Sequence, residues 1–143
     1  MEYTVGAIRC LELNETPPSS MILTQWLERM GQDLFYPPNV GGWNEGRAWL
    51  SSRSIVARAN FAHALGKGEL WHPRRDPVLD KLVERHEAGE KLEERVHWLA
   101  TLLWGEAPAE AVKETISKLN SLKDRALSTA VSLLLSRAEH QLG

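Results

Sequence analysis

The apolar residues of this chain recur at three- and four-residue intervals, and glycines and prolines cut that pattern into short runs. The alternation that a half-buried strand requires is absent. This period commits the backbone to helices, because only a turn of 3.6 residues returns such positions to one face. The runs read from Tyr3 to Leu13, with Ala7, Ile8 and Leu11 on one side, then through Leu23, Trp26, Leu27 and Met30. A third helix is expected from about Gly46 to Leu65. Four more follow, on Leu79, Leu82, Val83 and His86, on Leu92, Val96, Leu99 and Leu103, on Ala109, Val112, Ile116 and Leu119, and on Leu127, Ala130, Val131, Leu134 and Leu135. The fold class is therefore all-α, with about seven short-to-medium helices in an orthogonal or bundle-like arrangement.

The punctuation carries its own geometry. Pro17 and Pro18 end the first helix, and Ser19 or Ser20 can cap the second with its hydroxyl. Gly31 stands where a left-handed C-terminal residue is wanted, and Gly66 and Gly68 end the third helix. Asp76 followed by Pro77 reads as a cap and a first helical position, and Ser121 with Asp124 as a capping box. Composition shifts near Asp76, from Gly-, Pro- and Trp-rich to charged and Leu-rich. This suggests a segment 1–68, a linker 69–75 and a segment 76–143, together expected to make one unit.

At 143 residues the chain can bury a core without metal or disulfide, and Cys10, the single cysteine, excludes an internal disulfide. A net charge of −2 gives no global attraction to nucleic acid or to a membrane surface. No run reaches the roughly eighteen apolar residues of a membrane span. The first helix carries charges where a signal core would be apolar, so export by this N-terminus is not expected.

The stretch Tyr36 to Leu50, YPPNVGGWNEGRAWL, breaks the helical pattern. Pro37 and Pro38 fix φ, Gly41 and Gly42 allow positive φ, and Asn39 and Asn44 can bond their own backbone. An ordered, shaped loop is the expectation. It suits the pinning of a helix junction with Trp43 and Trp49 in the core. It also suits recognition of a flat or sugar-like ligand. In the helix after it, from Gly46 to Gly68, no residue is acidic while Arg47, Arg53, Arg58 and Lys67 are basic. Arg58 falls on the same side as Ile55, Ala59, Ala62 and Leu65, so it needs a partner. Glu28, Asp33 or helix-end carbonyls would serve, and an anionic ligand or a partner segment is the sharper reading. The ligand-binding candidates are Asn39, Trp43, Arg47, Trp49 and Arg58.

Other chemistry finds little support. Gly41, Gly42 and Gly46 precede a helix but follow no strand and lead to no Lys-Ser/Thr, unlike a phosphate loop. Glu94 and His97 form a single Glu-x-x-His, where a di-iron bundle needs two. Cys10 has no nearby histidine, and no serine sits in a nucleophile elbow. No catalytic set, metal site or cofactor is expected.

Two segments carry a family resemblance. Met30 to Phe61 resembles the signature near the C-terminal end of the bacterial family of unknown function DUF1800. The matching positions are Gly31, Gln32, Phe35, Pro37, Pro38, Asn39, Val40, Gly42, Trp43, Gly46, Trp49, Arg58, Asn60 and Phe61. The end, AVSLLLSRAEHQLG, is similar to the family's closing helix, with Arg137-Ala138 at its usual proline position and His140 for a phenylalanine. The resemblance implies the C-terminal portion of a longer, mostly helical and often exported bacterial protein. It carries no established reaction or catalytic residue. Two functions are then expected in competition. One is a structural or interaction module docking on the missing N-terminal part or on a partner protein. The other is a sugar- or anion-binding or enzymatic domain with a pocket at the loop.

Overall fold

A computed structural model describes residues 2–13, 17–33, 35–42, 50–71, 73, 79–119 and 125–137. Among them are seven α-helices and no strand: α1 (Glu2–Cys10), α2 (Ser20–Arg29), α3 (Ser52–Gly66), α4 (Leu79–Arg85), α5 (Leu92–Trp104), α6 (Ala109–Leu119) and α7 (Ala126–Leu135). The chain is all-α.

The helix ends follow from local chemistry. Gly31, at φ +80°, closes α2: its N–H donates to the Glu28 carbonyl at 2.9 Å and that of Gln32 to Leu27 at 2.8 Å. Gly68, at φ +68°, closes α3 in the same way, with Glu69 N–H on the Ala64 carbonyl at 2.9 Å. Helices α1 and α4 end with glutamates in the position glycine usually takes. Glu12 has φ +50° and Glu87 φ +49°, and their N–H groups donate to the carbonyls of Arg9 and Glu84.

Two helix starts differ from expectation. The third helix begins at Ser52 instead of Gly46, because the Ser51 hydroxyl accepts from the Ser54 N–H at 3.2 Å and nucleates the first turn there. Ser19 occupies the N-cap of α2, but its hydroxyl makes no cap bond. Its backbone N–H instead reaches the Leu70 carbonyl at 3.0 Å and ties the start of α2 to the chain beyond α3. The caps expected at Asp76 and Ser121, the first helical position at Pro77 and the linker residues 72, 74 and 75 lie outside the described residues.

Helix α7 is the hub. It is apolar on most sides, as a helix surrounded by others must be. Leu127, Ala130, Val131, Leu134 and Leu135 are buried, and α3, α4, α5 and α6 all pack on it. The most extensive of these packings is with α3. There the Ser132 hydroxyl lies 3.0 Å from the Ala62 carbonyl, and Gly66 lets the backbones close up. One hydrophobic cluster takes buried residues from α1, α3, α4, α5, α6 and α7, with Ile22, Leu23 and Trp26 of α2 packed against it. Leu70 and Trp71 are buried in it as well.

The buried face of α3 is rotated from the expected one. Ala62 and Leu65 are buried as the spacing implies, but Ile55 is 43% exposed and Ala59 half-buried. Ala57, Phe61 and Ala64 point inward instead. Phe61, fully buried, sets this rotation, since the largest side chain gains most from the core.

Candidate functional site

The segment following α2 builds a short ordered loop from its own hydrogen bonds. The Tyr36 N–H donates to the Asp33 carbonyl at 3.2 Å. Further on, the Asn39 side-chain oxygen accepts from the Gly41 N–H at 2.8 Å, and the Gly42 N–H donates to the Asn39 carbonyl at 3.1 Å. This is the self-bonding turn that asparagine favours, completed by Gly42 at φ +89°. Asn39, expected among ligand-binding residues, thus has its amide oxygen engaged in shaping the loop.

What the loop presents is apolar. Phe35 is 89% exposed, Tyr36 76% and Val40 entirely so, and Pro37 and Pro38 are exposed beside them. Phe35 also takes φ +69°, a left-handed conformation unfavourable for a side chain of this size. The aromatics expected to mark the site were Trp43 and Trp49. With Arg47 they lie outside the described residues. Sequence reasoning passed over Phe35 and Tyr36 as binding residues. The available signal was the pair of prolines directly after them, which keeps the chain extended and denies it a helix in which to bury the rings.

Arg58 is half-buried on α3, and its guanidinium carbon lies 5.1 Å from the centre of the Tyr3 ring. That ring comes from α1. A guanidinium is weakly enough hydrated to rest on an aromatic face. Burial pushes the Arg58 pKa below its ordinary value. Tyr3 is held in turn, its hydroxyl 3.0 Å from the Leu135 carbonyl and 3.2 Å from that of Arg58. The Tyr3 ring meets Phe61 edge-on at 5.8 Å, and Phe61 meets Trp26 at 6.0 Å. Arg29 covers the far end, 4.7 Å over the Trp26 ring. A row of three rings, with a guanidinium at each end, therefore joins α1, α3 and α2. Asn39 and Arg58 belong to these separate constructions, and no hydrogen bond joins them.

His86 falls differently from the expected pattern. His86, assigned to the apolar face of α4, is exposed. The helix ends at Arg85, and Glu87 reverses the backbone beside it. Its Nε2 lies 2.6 Å from Glu12 Oε1, while Arg85 reaches Glu12 Oε2 at 2.7 Å. The imidazole stacks on Trp98 of α5, with centres 5.3 Å apart. The bond to His86, then that to Arg85, holds the Glu12 carboxyl below its ordinary pKa against the opposing effect of burial. Glu94 of the Glu-x-x-His accepts from the N–H groups of Glu90 at 3.0 Å and Lys91 at 3.2 Å, so it serves the start of its own helix. Among the described residues no three His, Cys, Asp or Glu side chains converge as metal ligands. No helix among those residues is long and apolar enough to cross a membrane.

The profile of a family described as a protein of unknown function, DUF1800, matches residues 1–142. The chain belongs to the DUF1800 family. No curated protein and no solved structure matches it. In this DUF1800 chain four described residues of the signature fall in two places. Asn39 and Gly42 shape the exposed loop, whereas Phe61 and Arg58 join the aromatic row.

Proposed function

We infer that this DUF1800 chain is a structural interaction module whose loop 35–42 docks on another protein surface, and that the occupant is the remainder of a longer polypeptide of the family. The observation that carries this reading is Phe35, 89% exposed at φ +69°. Glycine would suit that backbone better and would leave no aromatic surface in water. A residue that costs stability twice in the isolated fold suits a surface that is covered in use. Tyr36 and Val40 extend the same apolar surface, and the adjoining prolines limit the entropy lost on docking. The family resemblance, which implies a longer protein, supports the choice of occupant.

The test is calorimetric titration of this chain into the separately expressed preceding region of a full-length family member. Wild type binds, and the variant carrying Phe35→Ser, Tyr36→Ser and Val40→Ser binds at least about tenfold more weakly, as expected when anchoring apolar side chains are removed. Its Tm stays within a degree or two of wild type, because these side chains support no core. Equal affinity of the two proteins, or no binding by either, defeats the proposal. Stabilisation of the wild type by a sugar or an inorganic anion, lost in Arg58→Gln, would replace it with the pocket reading.

A further inference from the structure

We propose that Arg29, laid over the Trp26 ring at the end of α2, is the carboxylate-binding element of the docking surface, so that the segment covering loop 35–42 carries an aspartate or glutamate beside its apolar contacts. This rests on the reading of the loop as a docking surface and adds the partner's charge to it. The Arg29 guanidinium carbon lies 4.7 Å from the centre of the Trp26 ring, and the side chain is exposed. The ring beneath it is fixed. Trp26 is only partly exposed and meets the fully buried Phe61 at 6.0 Å, with the planes 74° apart.

The guanidinium is positioned, yet its donors are open. Arg85 and Arg137 bond the carboxylates of Glu12 and Glu114, and Arg95 bonds the Gly89 carbonyl. Among the described residues no oxygen accepts from the Arg29 side chain. Glu28 and Asp33, its nearest acids in sequence, make no ion pair with it. Helix α3, which packs on α2, has no acidic residue from Ser52 to Gly66. The planar fork of an arginine matches a carboxylate with two parallel bonds. An ordinary surface ion pair gains little, because a long side chain must be ordered to make it. Resting on Trp26 removes part of that cost before the partner arrives.

Position joins this cation to the loop. Arg29 is the last residue of α2, and the N–H groups of Gly31 and Gln32 fold the chain back on the helix end through the carbonyls of Glu28 and Leu27. Phe35 therefore lies within about 20 Å of Arg29, the most that the intervening chain can span when fully extended. A standard interface covers roughly 800 Å² on each partner, a patch about 30 Å across. One partner surface can thus cover Phe35, Tyr36 and Val40 and still reach Arg29. Tryptophan, tyrosine and arginine are the side chains that most often dominate the binding energy of such a patch. The apolar loop supplies adhesion, and the cation selects a partner with a negative charge at that edge.

The test titrates wild type, Arg29→Gln, Arg29→Lys and the triple loop variant into the separately expressed preceding region of a full-length family member, at about 50 and about 300 mM sodium chloride. At the lower salt Arg29→Gln binds about tenfold more weakly than wild type, and its affinity depends less on salt. Arg29→Lys keeps the wild-type salt dependence but recovers only part of the affinity, since an ammonium lacks the planar fork. It also keeps the wild-type Tm, because either cation suits the carbonyl end of α2. The triple loop variant loses affinity and keeps the wild-type salt dependence. Wild-type affinity and salt dependence in Arg29→Gln, with binding weakened in the loop variant, overturns the carboxylate assignment and leaves the docking surface standing. No binding by wild type overturns both.

Discussion

Gly66 shows how much one missing methyl can decide. A Cβ placed there would collide with the Ser132 hydroxyl and lie 2.6 Å from the Ser128 carbonyl oxygen. The contact is with the backbone of α7, which has little room to give. Gly66→Ala is therefore expected to destabilise the protein by about 1–3 kcal/mol, the usual range for overpacking, although alanine is the better helix former. Urea denaturation measures this, and a neutral or stabilising result would show that α3 and α7 can separate without loss. The same residue marks a limit of sequence reading. Gly66 and Gly68 look alike in the chain, and both suggest a helix end. Only Gly68 is left-handed and ends α3, while Gly66 belongs to the helix and serves close approach. Composition cannot separate these roles, because the second depends on a helix some sixty residues away.

At the scale of elements, the helices and their apolar faces were legible wherever the 3.6-residue period ran unbroken. Leu79, Leu82 and Val83, Val96, Leu99 and Leu103, and the face of α7 are buried as their spacing implies. The sequence misleads where tertiary contact overrides the local pattern. Ile55 has the right spacing for the core of α3, yet Phe61 turns the helix and leaves Ile55 exposed. His86 continues the stripe of Leu82 and Val83 on a helical wheel, but the helix has already ended. The link between α6 and the chain after α7 was likewise not legible. It consists of Glu114, which accepts from Lys118 at 2.7 Å and from Arg137 at 2.5 Å. These bonds, Lys118 first and then Arg137, hold the Glu114 pKa down from 4.5 to about 2. A depressed carboxylate stabilises the fold at pH above its unfolded value, and that contribution disappears as pH falls through the folded one. Wild type should therefore lose stability more steeply than Glu114→Gln between pH 4.5 and 2, with the two curves converging at the acid end. Parallel acid-denaturation curves would refute the assignment.

Across the whole molecule, the candidate site was the least legible part. The sequence marked residues 36–42 as irregular, and they are. Asn39 bonds within the loop as its residue type implied, but the sequence could not reveal that Arg58 would rest on a ring from α1, since that outcome depends on how distant elements meet. Tyr3 illustrates the distance involved. Its hydroxyl reaches the carbonyl of Leu135, 132 positions along the chain. Closing so long a loop is entropically slow, and contacts of this kind tend to form after the local ones. Seating of α1 should then be a late event in folding, following the meeting of α3 with α7. Tyr3→Phe, which removes about 1 kcal/mol of hydrogen bonding, should raise the unfolding rate several-fold and leave the refolding rate nearly unchanged. Stopped-flow chevrons read the two rates separately, and slowed refolding would place the contact in the folding nucleus. The phenolic oxygen that joins α1 to the end of α7 thus acts chiefly on the lifetime of the native state, as a latch set last and released first.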